Sequence, residues 1–330
     1  MSVDIVVGLQ HGDEGKGKVV ADLIKKNDYD CCVRFNGGPN AGHTLYLENG
    51  QKIVTHHIPS GIIHNIDCVI GPGCVVDLNK LSLEIDMLKS YGIDVMKYLK
   101  IAKNCHIIRP NHIDEDIKND PIGSTHSGIR PVYRDKYDRI GIRMDNYYQD
   151  LIPKVNIIDT YEFLVNKQNI LCEGAQGFEL DIDWGAYPYV TSSHCLSGFV
   201  CTLGISPKRI RHIYGIAKIY GTYVGNMEYQ PKDDLALNKL GELGEEFGST
   251  TSRKRQCNWL NLDSLKRAID INGCNFIIIN KCDIIQQLDN YKLYHNNELH
   301  TFKSFSEMNI YIQMVINTGT IIFSGNKNKI

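Results

Sequence analysis

Short β-branched runs alternate with segments of helical spacing along this chain. Val3-Asp4-Ile5-Val6-Val7-Gly8 is an apolar run ending in glycine, and from Lys16 to Lys26 the apolar residues Val19, Val20, Leu23 and Ile24 share one helical face. That order predicts strand, loop, helix. Further apolar runs at Cys31 to Phe35, Cys68 to Ile70, Asn169 to Cys172, Ile210 to Ile219 and Phe276 to Ile279 are short and continuous, as strands buried on both faces should be. Helical periodicity lies between them, notably over Leu78 to Tyr91 and Leu262 to Asn272. The expected fold class is therefore α/β, a largely parallel central sheet with covering helices. Arg109 to Arg143 is polar and turn-rich, and Asp233 to Gly248 is acidic and helix-prone; both are expected as functional loops or insertions.

The 330 residues suit two domains or one large one, and with no internal repeat or low-complexity linker the expectation is a single α/β domain over 1–330. Hydrophobic residues at 42% and charged residues at 22% exclude disorder, collagen-like repeats and coiled coil. Lys and Arg number 36 against 38 Asp and Glu, so no global field draws nucleic acid or an anionic membrane, and neither is expected as a partner. An anionic ligand must be held locally. No run of about 18 apolar residues is present, and Met1-Ser2-Val3-Asp4 lacks the regions of a signal peptide, so a cytoplasmic location is expected. The cysteines number 11, odd and without a C-x-x-C pair, which suits neither a disulfide framework nor a zinc site; reduced thiols, many in buried strands, are expected.

The first chemical cluster follows the first strand and opens the first helix: Gly8-Leu9-Gln10-His11-Gly12-Asp13-Glu14-Gly15-Lys16-Gly17-Lys18. Glycines let backbone N–H groups surround a phosphate, the helix N-terminus adds partial positive charge, and lysine neutralises oxygens. It is not a regular Walker A loop, because Gln10 stands where the first glycine would be and Gly17 where Ser or Thr would ligate magnesium. Asp13 within it is expected to be buried. A carboxylate among phosphate-binding groups is repulsive unless it holds a metal or takes a proton.

Asn36-Gly37-Gly38-Pro39-Asn40-Ala41-Gly42-His43-Thr44 follows the next strand and carries one titratable group at a strand end, where open α/β sheets bind ligands. Asn280-Lys281-Cys282-Asp283 follows an apolar strand and resembles the guanine-recognition motif of GTP-binding proteins, in which the Asp carboxylate accepts from N1–H and the N2 amino group while the Lys stem packs on the ring. Gly248-Ser249-Thr250-Thr251-Ser252-Arg253-Lys254-Arg255 offers hydroxyls, amides and cations for a small dicarboxylate or phosphate. Cys172-Glu173-Gly174-Ala175-Gln176-Gly177 reads as strand and turn, and general chemistry assigns it no ligand. His56, His57 and His64 read as packing or surface residues, and adjacent Cys31 and Cys32 should face opposite ways in a strand.

In that order the clusters resemble the adenylosuccinate synthetase family over nearly the whole chain. The matching text is Gly12 to Lys18, Asn40 to Thr44, Ile58-Pro59-Ser60-Gly61, Glu173 to Gly177, Tyr187-Pro188-Tyr189-Val190-Thr191-Ser192, Phe247 to Arg255 and Asn280 to Asp283. The resemblance implies a P-loop-like GTP-binding fold with loop insertions and a ligase that joins L-aspartate to IMP at the expense of GTP through 6-phosphoryl-IMP. It implies Asp13 as general base and His43 as general acid, with Asp13 and the Gly42 carbonyl holding Mg2+. GTP would meet Gly12, Asp13, Glu14, Gly15, Lys16, Gly17, Lys18, Gly42, His43, Thr44, Arg255, Lys281, Asp283, Thr318 and Gly319. IMP would meet Asp13, Asn40, Thr125, Gln176, Thr191 and Arg253, with Arg139 reaching the phosphate bound by the neighbouring subunit of a homodimer. Aspartate would lie on Ser249, Thr250, Thr251, Arg253 and Arg255.

Several positions depart from the family pattern. Ser127 replaces an arginine of the aspartate region, Pro39 a histidine or similar residue, His11 a tryptophan, and Thr320 a proline. Tyr223-Val224-Gly225-Asn226-Met227-Glu228-Tyr229 replaces Arg-Val-Gly-Ala-Gly-Pro-Phe beside the nucleotide. The chain is also shorter than the usual enzyme, as in compact members of the family. The rival within the family makes 2-aminoadenylosuccinate from dGMP, with serine typically in place of the catalytic aspartate; Asp13 favours IMP. A rival of another class is a GTP-binding relative without turnover, which would need neither Asp13 nor His43.

Overall fold

The computed structural model describes residues 1–146, 155–248 and 253–325. Its central sheet is built from β1 (Ser2–Gly8), β2 (Cys31–Arg34), β3 (Asp67–Ile70), β4 (Leu99–Ala102), β5 (Asn156–Ile158), β6 (Asn169–Glu173), β7 (Ile210–Lys218), β8 (Phe276–Asn280) and β9 (Thr320–Phe323). Among the described residues all eight pairings in this sheet are parallel, in the order β9-β8-β7-β1-β6-β2-β3-β4-β5. The six apolar runs read from the sequence are six of these nine strands; β4, β5 and β9 are not among them. Their continuous character has the expected cause: Val3, Ile5 and Val7 pack into one core while Val6 packs into the other. Cys31 and Val33 likewise face away from Cys32, as the period of two requires.

The chain leaves β1, lays down one half of the sheet out to β5, then returns to insert β6 between β1 and β2 before building the other half from β7. Such a reversal leaves a crevice at the carboxyl ends of the central strands. Helices Lys16–Lys26 and Leu262–Asn272 occur where their periodicity predicts, and Leu78–Ser90 ends one residue earlier than expected. A smaller sheet of Tyr220–Tyr223, Gln256–Asn261, Tyr291–His295 and Glu298–Phe302, and a hairpin of His43–Tyr46 with Lys52–Thr55, lie outside the parallel sheet.

The polar stretch Arg109 to Arg143 is not a loop throughout. It holds helices Pro110–Lys118 and Ile129–Tyr137, whose polar side chains are spent on one another. His112 Nε2 and Arg109 Nη2 each lie 3.0 Å from Asp135, and Arg134 takes Glu115 through two bonds of 2.6 and 2.9 Å. A composition that suggests solvent exposure here encodes a helix pair joined by ion pairs. Asp233 to Gly248 contains the helix Leu235–Leu243, capped by Asp234, whose carboxylate accepts from Ala236 N and Leu237 N. No helix among the described residues is long and apolar enough to cross a membrane.

All the cysteines are free thiols, and ten are buried while Cys201 is half-buried. Burial raises thiol pKa and blocks access; Cys74, for instance, is pushed up to about 11. Titration of the native protein with an aromatic disulfide should therefore release about one thiol equivalent, from Cys201, and full release only in denaturant. Rapid reaction of several thiols in the native state would contradict this packing.

Candidate active site

A cavity of about 520 Å³ opens at the carboxyl ends of the central strands. Its wall brings together Gly12, Asp13, Lys16, Asn40, Gly42, His43, Thr125, Gln176, Thr191, Arg253 and Arg255, residues scattered over most of the sequence. Ser249, Thr250 and Thr251 lie outside the described residues.

The loop after β1 is shaped around Glu14. Its carboxylate accepts from the N–H groups of Gln10 at 3.2 Å and Gly12 at 2.8 Å, and pairs with Lys16 Nζ at 2.6 Å. Gln10 in turn clamps the end of β7, donating to the Lys218 carbonyl and accepting from Lys218 N. Gly17 lets the helix start approach the His43 strand: a Cβ there would lie 2.9 Å from His43 Cβ. Lys16, one of the two lysines expected to neutralise phosphate, is thus already in a buried ion pair where it lines the cavity.

Asp13 was expected to be buried and is exposed, standing in the left-handed region at φ 58° on the cavity wall. The loop turns it outward because Glu14, not Asp13, takes the buried N–H groups. Arg255 Nη2 meets its carboxylate at 2.8 Å.

On the same cavity wall, His43 begins a strand and its Nδ1 is in contact with the carboxylate of Glu173, the last residue of β6. Glu173 also accepts from Ser60 N at 2.7 Å and Ser60 Oγ at 2.5 Å. Burial alone would push the Glu173 carboxyl up, but His43, buried Arg34 and the Ser60 hydroxyl outweigh it and hold it at about 2. Burial lowers the His43 pKa, and the Glu173 charge works against that. With Nδ1 committed to Glu173, Nε2 is the ring nitrogen left for a ligand. From the sequence alone Glu173 reads as part of a plain strand and turn. The missed signal is an acid ending a strand buried on both faces, where a charge must be paired.

The remaining walls are cross-tied. Asn36 exchanges bonds with the backbone of Ala175, so the loops after β2 and β6 are held together. Arg253 Nη2 donates to the carbonyls of Gly123 and Ser124 at 2.9 and 3.0 Å, bringing the segment around Thr125 to the cavity. Gln176 stands at φ 54° with a buried Oε1 that has no protein partner. His11 is wedged edge-on between Tyr223 and Tyr229, at ring distances of 5.3 and 4.9 Å, and burial followed by nearby Lys218 lowers its pKa to about 4. This aromatic wall joins residues that the sequence shows only as separate departures.

Lys281 and Asp283 do not line the cavity. They follow β8 beside the helix that starts at Lys16: Lys18 Nζ donates to Asn280 Oδ1 at 2.5 Å and Asn280 Nδ2 to the Glu14 carbonyl at 2.7 Å. Thr318 and Gly319, expected beside this corner, lie away from it. They precede β9 at the amino end of the sheet, where Thr320 N bonds Asn275 O, whereas Lys281 and Asp283 are at the carboxyl end of β8. The parallel pairing of β8 and β9 instead brings Ser324 and Gly325 against Asp283 and Cys282, and Lys18 Nζ lies 3.3 Å from Ser324 Oγ. Arg139 is exposed after helix Ile129–Tyr137, outside the cavity, flanked by exposed Tyr137 and Ile140.

A family model described as adenylosuccinate synthetase matches residues 5–157 and 148–314. An adenylosuccinate synthetase of Cytophaga hutchinsonii is 40% identical over 88% of this chain and 79% of its own length. One of Thermodesulfovibrio yellowstonii is 38% identical over 92% of this chain and 83% of its own. The structure of a fully ligated adenylosuccinate synthetase from Plasmodium falciparum superposes with a TM-score of 0.88 at 27% identity, covering 99% of this chain and 98% of that one. The succinoaminodeoxyadenylate synthetase of cyanophage S-2L, bound to dGMP and dATP, shares the fold with a TM-score of 0.80 at 23% identity, covering 99% and 93%.

The Glu173 charge stabilises the fold fully above the ordinary carboxylate range near about 4.3, and that contribution is lost as pH falls through about 2. In urea titrations, wild type should therefore exceed Glu173→Gln in midpoint most above about pH 5, and the gap should shrink steadily toward acid. A gap constant from pH 6 to pH 3 would contradict a paired, ionised Glu173.

Proposed function

The chain belongs to the adenylosuccinate synthetase family, and from that premise we propose that it ligates L-aspartate to IMP with GTP, giving adenylosuccinate, GDP and phosphate. The family is one of GTP-dependent C–N ligases of purine biosynthesis. The observation that carries the assignment is the convergence of Asp13 and a carboxylate-backed His43 on one cavity, since binding alone requires neither.

In the proposed reaction Asp13 takes the N1 proton of IMP, and the electron pair released makes O6 the nucleophile. O6 attacks the γ-phosphorus, the β–γ bridge bond breaks, and GDP leaves as 6-phosphoryl-IMP forms. His43, oriented through Nδ1 by Glu173, presents Nε2 to the charge growing on the leaving oxygen. The aspartate amine then adds at C6 and loses a proton, and the C6–O6 bond breaks to release phosphate. Asn40, Thr125, Gln176, Thr191 and Arg253 hold IMP; the buried Gln176 Oε1 is an acceptor awaiting a donor. Ser249, Thr250, Thr251, Arg253 and Arg255 hold the dicarboxylate, and Arg139, with its exposed apolar flanks, serves the phosphate bound by a second copy.

Asp13 and the Gly42 carbonyl fit Mg2+. They are hard oxygen donors on the same cavity, and with one carboxylate they leave most positions to phosphate oxygens and water, as this ion prefers. Bound there, the ion supplies charge neutralisation to the transferring phosphoryl group. Lys281 and Asp283 read guanine, with Ser324 and Gly325 taking the place first given to Thr318 and Gly319.

The assay is product formation, identified by mass, with IMP or dGMP paired with GTP or ATP in the presence of aspartate and magnesium. Activity confined to IMP and GTP is expected; turnover of dGMP instead would overturn the reading and point to the His11, Tyr223 and Tyr229 wall. Asp13→Asn should lower kcat by at least about 10²-fold while nucleotide binding survives. An unchanged kcat would remove Asp13 from the proton transfer. Asp283→Ala should raise the KM for GTP far more than that for aspartate, and equal effects would contradict a guanine-reading role.

A further inference from the structure

Glu246 is a fully buried carboxylate that the reaction above does not use. It stands where four cationic or hydroxyl groups from distant segments meet. Arg255 Nη1 donates to its Oε2, Tyr220 donates its hydroxyl to Oε1 at 2.6 Å, Lys218 Nζ lies 3.3 Å away, and Lys281 Nζ lies at 4.0 Å. Burial pushes this carboxyl up, but Lys218, Arg255 and Lys281 more than reverse the effect and hold it at about 2. A charge so deeply buried is costly unless every partner is in place.

The Arg255 guanidinium is held from behind and used in front. Nη1 is on Glu246, while Nη2 is on the exposed Asp13 carboxylate at 2.8 Å. The backbone repeats the tether: Arg255 N bonds the Glu246 carbonyl at 3.0 Å, Gly248 N bonds Arg253 O at 2.8 Å, and Phe247 bridges Lys254. Two residues earlier, the Gly244 carbonyl accepts from Lys281 Nζ at 2.8 Å, which links the same segment to the Asn280 to Asp283 corner. An arginine offers a planar fork, so fixing one side of it fixes the direction of the other.

We propose that Glu246 is a positioning residue that acts through Arg255 to set the orientation of Asp13, and that through Gly244 and Lys281 it joins the guanine-reading corner to the proton-abstracting one. The proposal rests on the assigned ligase reaction. Glu246 meets no substrate; it fixes the guanidinium whose far nitrogen faces the base. Displacing that nitrogen by about 1 Å is enough to cost turnover heavily.

A double-mutant cycle on the complete enzyme tests it, once wild type has shown the ligase reaction, so failure of the reaction and failure of the proposal are separate results. Glu246→Gln should lower kcat at least about tenfold with the KM for IMP within about twofold of wild type. Arg255→Gln should lower it further, and the double variant should be no worse than Arg255→Gln alone, because both act through one guanidinium. A merely structural Glu246 gives multiplying losses, or a loss matching the fall in folded fraction by circular dichroism; either overturns the proposal, as does a folded Glu246→Gln with wild-type kcat. Should Glu246→Gln not fold, Tyr220→Phe carries the same cycle, since it loosens the carboxylate while keeping the buried charge. It should lower kcat several-fold alone and have no further effect in the Arg255→Gln background; multiplying effects there would again overturn the proposal.

Discussion

The pairing of buried carboxylates organises this molecule. Glu14, Glu173 and Glu246 each lie out of reach of water behind the cavity, and removing a partner from such a group costs about 3–5 kcal/mol. Glu14 is satisfied by its own loop, Glu173 and Glu246 by groups from different parts of the chain, and each points a second residue toward the cavity. Glu14 gathers the N–H groups after β1 and leaves Asp13 outside. Glu173 takes one nitrogen of His43 and leaves the other. Glu246 takes one side of Arg255 and leaves the other on Asp13. The cavity surface that carries Asp13, His43 and Arg255 is the outward face of three buried charge sites.

The sheet makes these sites possible. Insertion of β6 between β1 and β2 puts the carboxyl ends of three strands, and so the loops carrying Asp13, His43 and Gln176, side by side. Gly17 then allows the first helix to approach the His43 strand at a distance no side chain at that position would permit. Fold and site are coupled at this point: the same close packing that buries Glu173 brings His43 over the phosphate-type loop.

Strands and helices were legible wherever one physical signal dominated. Continuous β-branched runs gave the central strands, and regular spacing gave Lys16–Lys26 and Leu262–Asn272 to the residue. The helices Pro110–Lys118 and Ile129–Tyr137 were illegible because their polar residues satisfy one another across elements, a pairing invisible to composition. At the site, local motifs identified Asp13 and His43 as chemical groups. They could not reveal Glu173 or Glu246, whose importance is set by partners far away in sequence. The Thr318–Gly319 assignment failed for a related reason: a Thr-Gly pair resembles a family segment, but strand direction puts it at the wrong end of the sheet.

In the proposed reaction Asp13 and His43 act on one phosphoryl transfer to O6 before aspartate reacts. Positional isotope exchange tests this most directly, using GTP carrying 18O in the β–γ bridge, with IMP and magnesium and without aspartate. With a separate phosphoryl transfer the label migrates into the non-bridging β-phosphate positions of recovered GTP, migration requires IMP, and Asp13→Asn abolishes it. Full ligase turnover in the presence of aspartate with no migration in its absence would contradict a separate phosphoryl-transfer step and the roles assigned to both residues.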